Sequence, residues 1–459
     1  MGNEMSDSEI RPQEQPFCLP ENDLPRVVVI GGGFAGLNAI KKLKNKPVDV
    51  VLLDKHNYHQ FVPLIYQVAT SGLEPDSVSF PLRKRFRDYN NVTFRLANVE
   101  RIDHAQNKVI TNKGFLTYDY LIIASGSVTN FLGNNKIKEH CYGLKTVEDA
   151  IHIRSLMLSH LEMAAQTCIQ EEKDVLTNFA IVGGGPAGVE LAGALAEFRD
   201  HIIPKDYPEY NGDNITIYLL QSGYQLLKGM SEESSKQTLK DLQNMDVKVL
   251  FGCKVTGYDG RTVQIEDAKM QLKAATLIWA AGVRGSFPGG LNEDIVVKGN
   301  RLKVSETLEV AGMNNVFAIG DVAGLITEEH PKGLPMLAPV AIQQGSHVAK
   351  CILKLIKGES AEPFDYLDKG HLATIGRRRA VADIRGLKLS GFTAWVIWAL
   401  VHIFYLAGFK NRTFVLINWL SNYMSYDKGD RLITRTTFKD PYSTHSNTQR
   451  FEASNPAAE

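Results

Sequence analysis

Cysteine is scarce in this chain of 459 residues, which holds five widely spaced cysteines and no C-x-x-C pair. That pattern argues against a disulfide scaffold, a zinc ribbon or a dithiol redox motif, and it favours a reducing compartment. Net charge is also absent, because 51 Lys and Arg balance 51 Asp and Glu, so no basic excess indicates nucleic-acid binding. The twelve histidines form no H-E-x-x-H pair, and no metal site is predicted.

The overall composition, 44% hydrophobic and 22% charged, is that of a globular protein. It excludes a mostly disordered chain, a collagen-like fibre and a polytopic membrane protein. The length allows about two to four domains. Residues 1–25 hold four prolines and no apolar core, so they are predicted to be a disordered tail without a secretory signal. The polar residues 439–459 are predicted to be disordered too.

Two segments about 150 residues apart repeat one pattern of apolar strand, glycine-rich turn and helix. RVVVIGGGFAGLNAIKKL begins at Arg26, and NFAIVGGGPAGVELAGALAEF begins at Asn178. Because later apolar strands lie on both sides of the second copy, we predict an α/β fold of two Rossmann-type dinucleotide-binding domains, the second inserted in the first. The predicted boundaries are 26–145 and 285–365 for the first domain, 146–284 for the second, and 366–438 for a helical C-terminal segment.

The first motif, Gly31-x-Gly33-x-x-Gly36, directly follows a strand and opens a helix. Such glycines permit a tight turn, close approach to a pyrophosphate and helix–strand packing, while the helix N-terminus attracts the phosphates. Asp54 ends the next strand, where a carboxylate can hold ribose hydroxyls. A second aspartate, Asp321, follows a glycine after the strand VFAI and can bind a ribityl hydroxyl or simply stabilise a turn.

The second motif, Gly183-x-Gly185-x-x-Gly188, ends its next strand in Gln221 rather than an acid. An amide still binds ribose hydroxyls but lacks the charge that repels a 2′-phosphate, so NADH is favoured and NADPH stays possible. Glu190, in the first turn of the helix, either stabilises the helix dipole or lies near a nicotinamide. Two such sites suggest FAD in one half, a nicotinamide nucleotide in the other, and hydride transfer between stacked rings.

The motifs GGGFAG, HNYHQFVPLIYQVATSGL, GGGPAGVELAGALAE, FAIGDVAG and APVAIQQG together resemble the type II NADH dehydrogenases, single-subunit NADH:quinone oxidoreductases related to the pyridine nucleotide-disulfide reductases. The similarity covers about residues 26–435. It implies a homodimeric flavoenzyme without proton pumping, which passes electrons from NADH through FAD to a membrane quinone. It further implies a peripheral enzyme on the cytoplasmic face of the plasma membrane.

The resemblance also implies site residues. FAD would be bound by Gly31, Gly33, Phe34, Ala35, Gly36, Asp54, Lys55, Val99, Ala124, Gly126, Asp321 and Ala338. NADH would be bound by Gly183, Gly185, Pro186, Ala187, Gly188, Glu190, Gln221 and Gly282, and quinone by Gln343 and Gln344, with Glu190 and Gln343 as catalytic residues. Four positions depart from the family pattern: Asp54 replaces Glu, Ser125 replaces Thr, Gln221 replaces an acid, and Pro339 replaces the first glutamine of the quinone segment.

Two other functions stay open. A sulfide:quinone oxidoreductase has a similar fold but needs reactive cysteines, for which Cys168 and Cys351 are the only candidates, and both fit core positions better. A redox-sensing flavoprotein would bind FAD as a structural ligand and act by binding a partner. Slow reduction by NADH would be its signature.

The apolar run 391–409 is just long enough to span a bilayer, but it contains His402. A spanning helix, a buried or dimer helix, and a helix lying on the membrane plane are the alternatives. The stripe of Asn418, Ser421, Asn422 and Ser425 in the following segment favours the last. Eleven basic residues against three acids between Arg377 and Lys439, among them Lys410, Arg412, Lys428, Arg431 and Arg435, suit an anionic membrane surface.

Overall fold

The computed structural model describes residues 15–208, 215–266, 271–406, 408–425 and 430–434. The helices in these ranges are α1 (Phe34–Leu43), α2 (Ile65–Ala69), α3 (Leu82–Phe86), α4 (Asn135–His140), α5 (Val147–Gln166), α6 (Gln170–Thr177), α7 (Pro186–His201), α8 (Ile203–Asp206), α9 (Glu232–Asn244), α10 (Ala338–Ile356), α11 (Gly391–Tyr405) and α12 (Phe409–Ser425).

The strands fall into two stretches. The first comprises β1 (Arg26–Ile30), β2 (Asp49–Asp54), β3 (Tyr58–Gln60), β4 (Ser79–Pro81), β5 (Val92–Leu96), β6 (Val99–Asp103), β7 (Lys108–Thr111), β8 (Gly114–Thr117), β9 (Tyr120–Ile123), β10 (Ser127–Thr129), β11 (Tyr142–Gly143), β12 (Phe179–Val182) and β13 (Ile217–Gln221). The second comprises β14 (Val247–Phe251), β15 (Val255–Tyr258), β16 (Thr262–Ile265), β17 (Leu272–Lys273), β18 (Thr276–Trp279), β19 (Val283–Gly285), β20 (Val296–Val297), β21 (Arg301–Lys303), β22 (Val316–Ala318), β23 (Ala323–Gly324), β24 (His371–Gly376), β25 (Arg379–Ile384) and β26 (Leu387–Ser390).

The first large sheet is parallel and has the order β22-β9-β1-β2-β5. Its central strands are continuous apolar runs because helices cover both faces of the sheet. The chain leaves this sheet after β9 and rejoins it only at β22, close to 200 residues later. The prediction of an α/β fold with the second Rossmann-type unit inserted in the first is therefore confirmed.

The second large sheet repeats the first one, with the order β11-β18-β12-β13-β14 and parallel pairing. Its first strand, β11, precedes the boundary at residue 146 that the sequence predicted, so the second unit begins a few residues earlier. The antiparallel pair β10 and β19 joins the two units where the chain crosses between them.

The C-terminal segment is not wholly helical as predicted, because β24, β25 and β26 form an antiparallel sheet before its two helices. This sheet packs on α7 at Gly193, where an added Cβ would overlap the carbonyl oxygen of Ile375. α11 ends at Tyr405, four residues short of the apolar run in the sequence. Within the described ranges, no helix combines the length and the apolar character that crossing a membrane requires.

The N-terminal segment corrects another prediction. Residues 15–25 were expected to be disordered, but the amide of Phe17 donates to the carbonyl of Phe115 at 2.8 Å, and the Phe17 side chain packs on the first core. Arg95 also holds this segment by donating to the carbonyl of Cys18. The rest of the predicted N-terminal tail and residues 439–459 lie outside the described residues.

Candidate active site

The two glycine-rich turns have the same backbone geometry. Gly31 and Gly183 have φ angles of 102° and 116°, which L side chains rarely adopt. An added Cβ on Gly36 would overlap the carbonyl oxygen of Gly31, and one on Gly188 would overlap that of Gly183. Glycine at these four positions therefore lets each helix begin directly against its strand.

The middle glycine of each turn faces open space. An added Cβ on Gly33 or Gly185 would meet no atom within 4 Å, and each of these residues caps the N-terminus of α1 or α7. Neither cap has a side-chain acceptor, so the first amides of each helix stay available to a ligand. This arrangement is an anion-binding cradle of the kind that holds a pyrophosphate.

The strand-end residues Asp54 and Gln221 occupy equivalent places in the two units. Asp54 Oδ2 accepts from the Gly32 amide at 2.5 Å, and Gln221 Oε1 accepts from the Gly184 amide at 2.9 Å. Burial raises the pKa of Asp54, whereas its bonds to the amides of His56 and Gly32 lower it. Each side chain thus holds its own glycine turn while standing beside the cradle.

A single cavity of about 1590 Å³ runs along both cradles. That is larger than the usual ligand pocket of about 300–1,000 Å³, so it has room for more than one drug-sized ligand. Its lining includes these predicted site residues: Gly31, Gly33, Phe34, Ala35, Asp54, Lys55, Val99, Ala124, Gly126, Gly185, Pro186, Ala187, Glu190, Asp321 and Ala338. The predicted residues outside the lining are Gly36, Gly183, Gly188, Gln221, Gly282, Gln343 and Gln344.

Asp321 is held by charge and hydrogen bonding. The Lys145 ammonium lies 3.2 Å from its Oδ2, and the Ser127 hydroxyl donates to the same oxygen. Ser127 and Lys145 lie 194 and 176 residues before Asp321 in the chain, so distant segments meet at this wall of the cavity. All three residues line the cavity.

Glu190 is the buried carboxyl group of the cavity, 8% exposed. Burial raises its pKa to about 8, against smaller lowering effects of the Thr374 amide and the nearby Trp398 indole N–H. The Thr374 amide lies 3.4 Å from Glu190 Oε1. With a pKa of about 8, this carboxyl group carries a proton at neutral pH. Because β24 carries Thr374, the C-terminal sheet also contributes to the environment of a residue in the second nucleotide-binding unit.

Gln343 and Gln344 do not present their amides to the cavity as the resemblance implied. The Gln343 side chain exchanges two hydrogen bonds with the main chain of Leu367, at 3.0 and 3.1 Å. Gln344 is 1% exposed, and its Oε1 accepts from the Gly320 amide at 2.7 Å. Ala338 and Ile342 of the same helix line the cavity instead. A direct bond from either glutamine to a quinone stays a prediction without support from this geometry.

Comparison with known families agrees with this architecture. Residues 25–345 match the pyridine nucleotide-disulphide oxidoreductase model, and residues 369–425 match the NDH2 C-terminal domain. A type II NADH:quinone oxidoreductase, Ndh, of Mycobacterium tuberculosis is 35% identical over 92% of this chain and 93% of its own length. The chain belongs to the type II NADH:quinone oxidoreductases. The predicted family is therefore confirmed.

Other relatives of this type II NADH:quinone oxidoreductase are more distant. One of the same description from Staphylococcus haemolyticus is 30% identical over 80% of this chain and 92% of its own length. The structure of NDH2 from Plasmodium falciparum in complex with NADH has a TM-score of 0.82 at 23% identity, covering 90% of this chain and all of that one. A sulfide:quinone oxidoreductase from Aquifex aeolicus shares the fold at a TM-score of 0.68 and 19% identity, covering 85% and 92% of the two chains.

Aromatic and titratable residues that the sequence analysis did not assign to the site complete the cavity wall. Tyr66 of α2 lines the cavity, as do His402 and Tyr405 of α11. Burial and the charge of Glu190 raise the pKa of Tyr66 well above its usual value. A histidine inside an otherwise apolar run was the available signal for His402, and for Tyr66 it was a place in the family motif HNYHQFVPLIYQVATSGL.

A chain of hydrogen bonds joins this wall to the last helix. The Trp419 indole N–H of α12 donates to Gln67 Oε1 at 2.9 Å, and Gln67 Nε2 donates to the Tyr66 hydroxyl oxygen at 2.9 Å. The Tyr66 hydroxyl hydrogen is thereby left to point elsewhere. α12 therefore reaches the cavity through two side chains.

Cysteine is absent from the cavity lining of the described chain. Cys18 and Cys168 are exposed, and Cys141 and Cys351 are buried in positions where burial raises their pKa. The thiolate form that redox exchange needs is disfavoured at those two buried sites. In the same described residues, no group of His, Cys, Asp or Glu is arranged to hold a metal ion.

Proposed function

We propose that this chain catalyses the oxidation of NADH by a membrane quinone, with FAD as its resident cofactor and without pumping protons. The observation that carries the proposal is the single cavity that touches both nucleotide cradles and ends against the apolar C-terminal helices. Such a cavity lets two ligands of different solubility reach one redox centre from opposite sides.

The first unit fits FAD. Gly33 leaves room for a pyrophosphate at the start of α1, while Asp54 stands at the strand end where ribose hydroxyls would bind. Asp321, oriented by Lys145, faces the cavity beyond them. The chemistry that FAD supplies when bound is acceptance of a hydride and release of two electrons to an acceptor.

The second unit fits NADH. Gly185, Pro186 and Ala187 line the cavity at the start of α7, and the helix N-terminus would hold the pyrophosphate. Gln221 is a neutral group at the ribose end, so it gives no charge repulsion of a 2′-phosphate. Glu190 lies deeper along the same helix, where its protonated carboxyl group can donate a hydrogen bond to a bound ring.

The C-terminal helices fit a peripheral location on the cytoplasmic face of the plasma membrane, where NADH is available. Exposed apolar side chains on α11 and α12 would enter the lipid: Phe392, Leu400, Phe404, Phe414, Ile417 and Leu420. Lys410 is exposed in the first turn of α12 and suits an anionic headgroup. Arg412 instead donates to the carbonyls of Phe404 and Leu406, and Arg431 pairs with Asp206. Lys428 and Arg435 lie outside the described residues.

The decisive experiment separates the two half-reactions. Purified protein in mild detergent is mixed with NADH and then with a soluble quinone while flavin absorbance is followed at about 450 nm. Rapid bleaching followed by rapid recovery is expected. Bleaching by sulfide but not by NADH would identify a sulfide:quinone oxidoreductase instead. Slow bleaching by NADH would favour a redox sensor.

Membrane docking is tested by sedimentation with phosphatidylglycerol vesicles. Phe404→Glu should release the protein from the vesicles, because a charge at this position opposes insertion into lipid. Leu96→Glu introduces the same charge at an exposed apolar residue away from the C-terminal helices, 52% exposed, and should leave binding intact. Equal release by both variants would contradict the docking face. Light scattering of the detergent-solubilised protein tests the homodimer that the family resemblance implies.

A further inference from the structure

His402 is one of three α11 residues that line the cavity, together with Val401 and Tyr405. Its ring lies over the Trp398 ring at a centroid distance of 4.3 Å and meets the edge of Phe61 at 6.2 Å. The residue is partly exposed, and it lines the cavity. One polar ring is thus placed among aromatic side chains at the wall nearest the lipid-facing helices.

The hydrogen bond that His402 makes determines its tautomer. Its Nδ1 lies 2.7 Å from the carbonyl oxygen of Trp398. A carbonyl oxygen can only accept, so Nδ1 carries the hydrogen and the neutral ring has its lone pair on Nε2. Burial lowers the pKa of His402 to about 4, which keeps the ring neutral at physiological pH. No hydrogen bond to Nε2 occurs within the part of the chain that the structure describes.

Two polar groups that line the same cavity, Glu190 and Tyr66, are hydrogen-bond donors. Burial raises the pKa of Glu190 to about 8, against a smaller lowering effect of the Trp398 indole N–H, so the carboxyl group carries a proton at neutral pH. The Tyr66 hydroxyl receives a hydrogen bond from Gln67 and so has its own hydrogen to give. His402 Nε2 is therefore an acceptor in the same cavity as these two donors.

The two redox forms of a quinone differ in whether they donate or accept hydrogen bonds. Quinone carbonyls only accept hydrogen bonds, so they match Glu190 and Tyr66 and have nothing to offer a lone pair. Hydroquinone hydroxyls donate, so one of them can bond to an acceptor such as His402 Nε2.

We propose that His402 Nε2 accepts a hydrogen bond from a hydroxyl of the hydroquinone product, so that His402 makes the site discriminate between the reduced and the oxidised ligand. This assignment rests on the proposed NADH:quinone oxidoreductase function. The alternative role, a ring that only fills space between Trp398 and Phe61, gives no preference for either redox form.

A pair of substitutions separates these roles. His402→Asn keeps an N–H donor near the position of Nδ1 but removes the acceptor at Nε2. His402→Gln returns an amide oxygen to the Nε2 position. Duroquinol is titrated anaerobically into the flavin-reduced protein and duroquinone into the oxidised protein, with calorimetric detection. Flavin content and melting temperature show that each variant is folded.

His402→Asn is expected to weaken duroquinol binding by about 3- to 10-fold, the effect of one hydrogen bond, and to change duroquinone binding by less than about twofold. His402→Gln should restore part of the duroquinol affinity. Equal weakening of both ligands, or an unchanged duroquinol affinity in the asparagine variant, would overturn the proposal. A wild-type protein that NADH bleaches but no quinone reoxidises would instead refute the proposed function.

Discussion

The two nucleotide-binding units share one backbone plan and differ in what covers the first helix of each. In the first unit, α10 of the same unit packs on α1 at Gly345, where an added Cβ would overlap the carbonyl oxygen of Ala35. In the second unit, β24 of the C-terminal segment packs on α7 at Gly193. The first helices of the two cradles are thus covered differently, one by a helix of its own unit and the other by a strand of the C-terminal segment.

This difference extends to the residue two places after the third glycine. In the first unit that residue is Asn38, whose amide donates to the Phe34 carbonyl of its own helix at 2.8 Å. In the second unit it is Glu190, whose carboxyl group lies 3.4 Å from the Thr374 amide and close to the Trp398 indole N–H. Asn38 is therefore satisfied within its own helix, whereas Glu190 is coupled to the C-terminal segment, whose helix α11 lines the cavity where we propose that quinone arrives.

The largest effect is expected from adding a methyl group at either of these two packing contacts, at Gly193 or at Gly345. Gly193→Ala should destabilise the protein by about 3 kcal/mol, because the new Cβ meets main-chain atoms that cannot move aside cheaply. Gly345→Ala should lower the free energy of unfolding by a similar amount. It should also release flavin, since Gly345 packs on α1, the helix whose N-terminus would hold the pyrophosphate of FAD. Gly229→Ala, which meets open space, is the control. Urea denaturation and flavin content measure these changes, and flavin loss in Gly193→Ala alone would contradict the comparison.

A pH-dependent effect of similar size is expected at Glu190. Its folded-state pKa of about 8 lies above the ordinary value of 4.5, so burial favours the folded state fully only below about pH 4.5 and opposes it increasingly up to pH 8. Glu190→Gln removes the titration and should raise the free energy of unfolding by about 3 kcal/mol at about pH 7 and by little at about pH 4. Asn38→Ala should shift stability equally at every pH. A pH-independent gain in Glu190→Gln would show that its carboxyl group is not buried as described.

A smaller effect is expected at the strand end of the second unit. Gln221→Glu restores an acid beside the ribose position and should raise the ratio of kcat/KM for NADH over NADPH by about tenfold, through repulsion of the 2′-phosphate. The reciprocal change in the first unit, Asp54→Gln, should lower flavin content and leave the nucleotide preference unchanged. Steady-state kinetics with both nucleotides test this, and an unaltered ratio would place the ribose away from Gln221.

Local sequence patterns predicted the two cradles because the determinants lie within about thirty residues of each other. Gly31, Gly36 and Asp54 act through backbone sterics and a strand-end position, which the motif itself encodes. The partners of Glu190 were not predictable, since Thr374 lies 184 residues further along the chain. Contacts of that range depend on how β24 packs on α7 at Gly193, and Gly193 is one of several small residues in that helix, so the sequence did not single it out.

The hydrogen-bond partners of Gln343 and Gln344 could not be predicted from the sequence for a similar physical reason. A helical pattern places Gln343 on a face of α10, but it does not reveal that the main chain near Leu367 passes close enough to take both amide groups. Residues 15–25 were misjudged because their composition resembles that of disordered tails. A few contacts around Phe17 and Cys18 suffice to fix them on the first unit.

The path from Trp419 through Gln67 to Tyr66 has a consequence for inhibitor discovery. Removing the last helix would be the obvious way to make a membrane-docking enzyme easier to handle in water. In this protein that truncation would also leave the amide of Gln67 without its indole partner and loosen the wall that Tyr66 presents to the cavity. Compounds ranked against such a shortened protein would be selected for a different pocket, so screens should retain α12 and supply it with detergent or lipid.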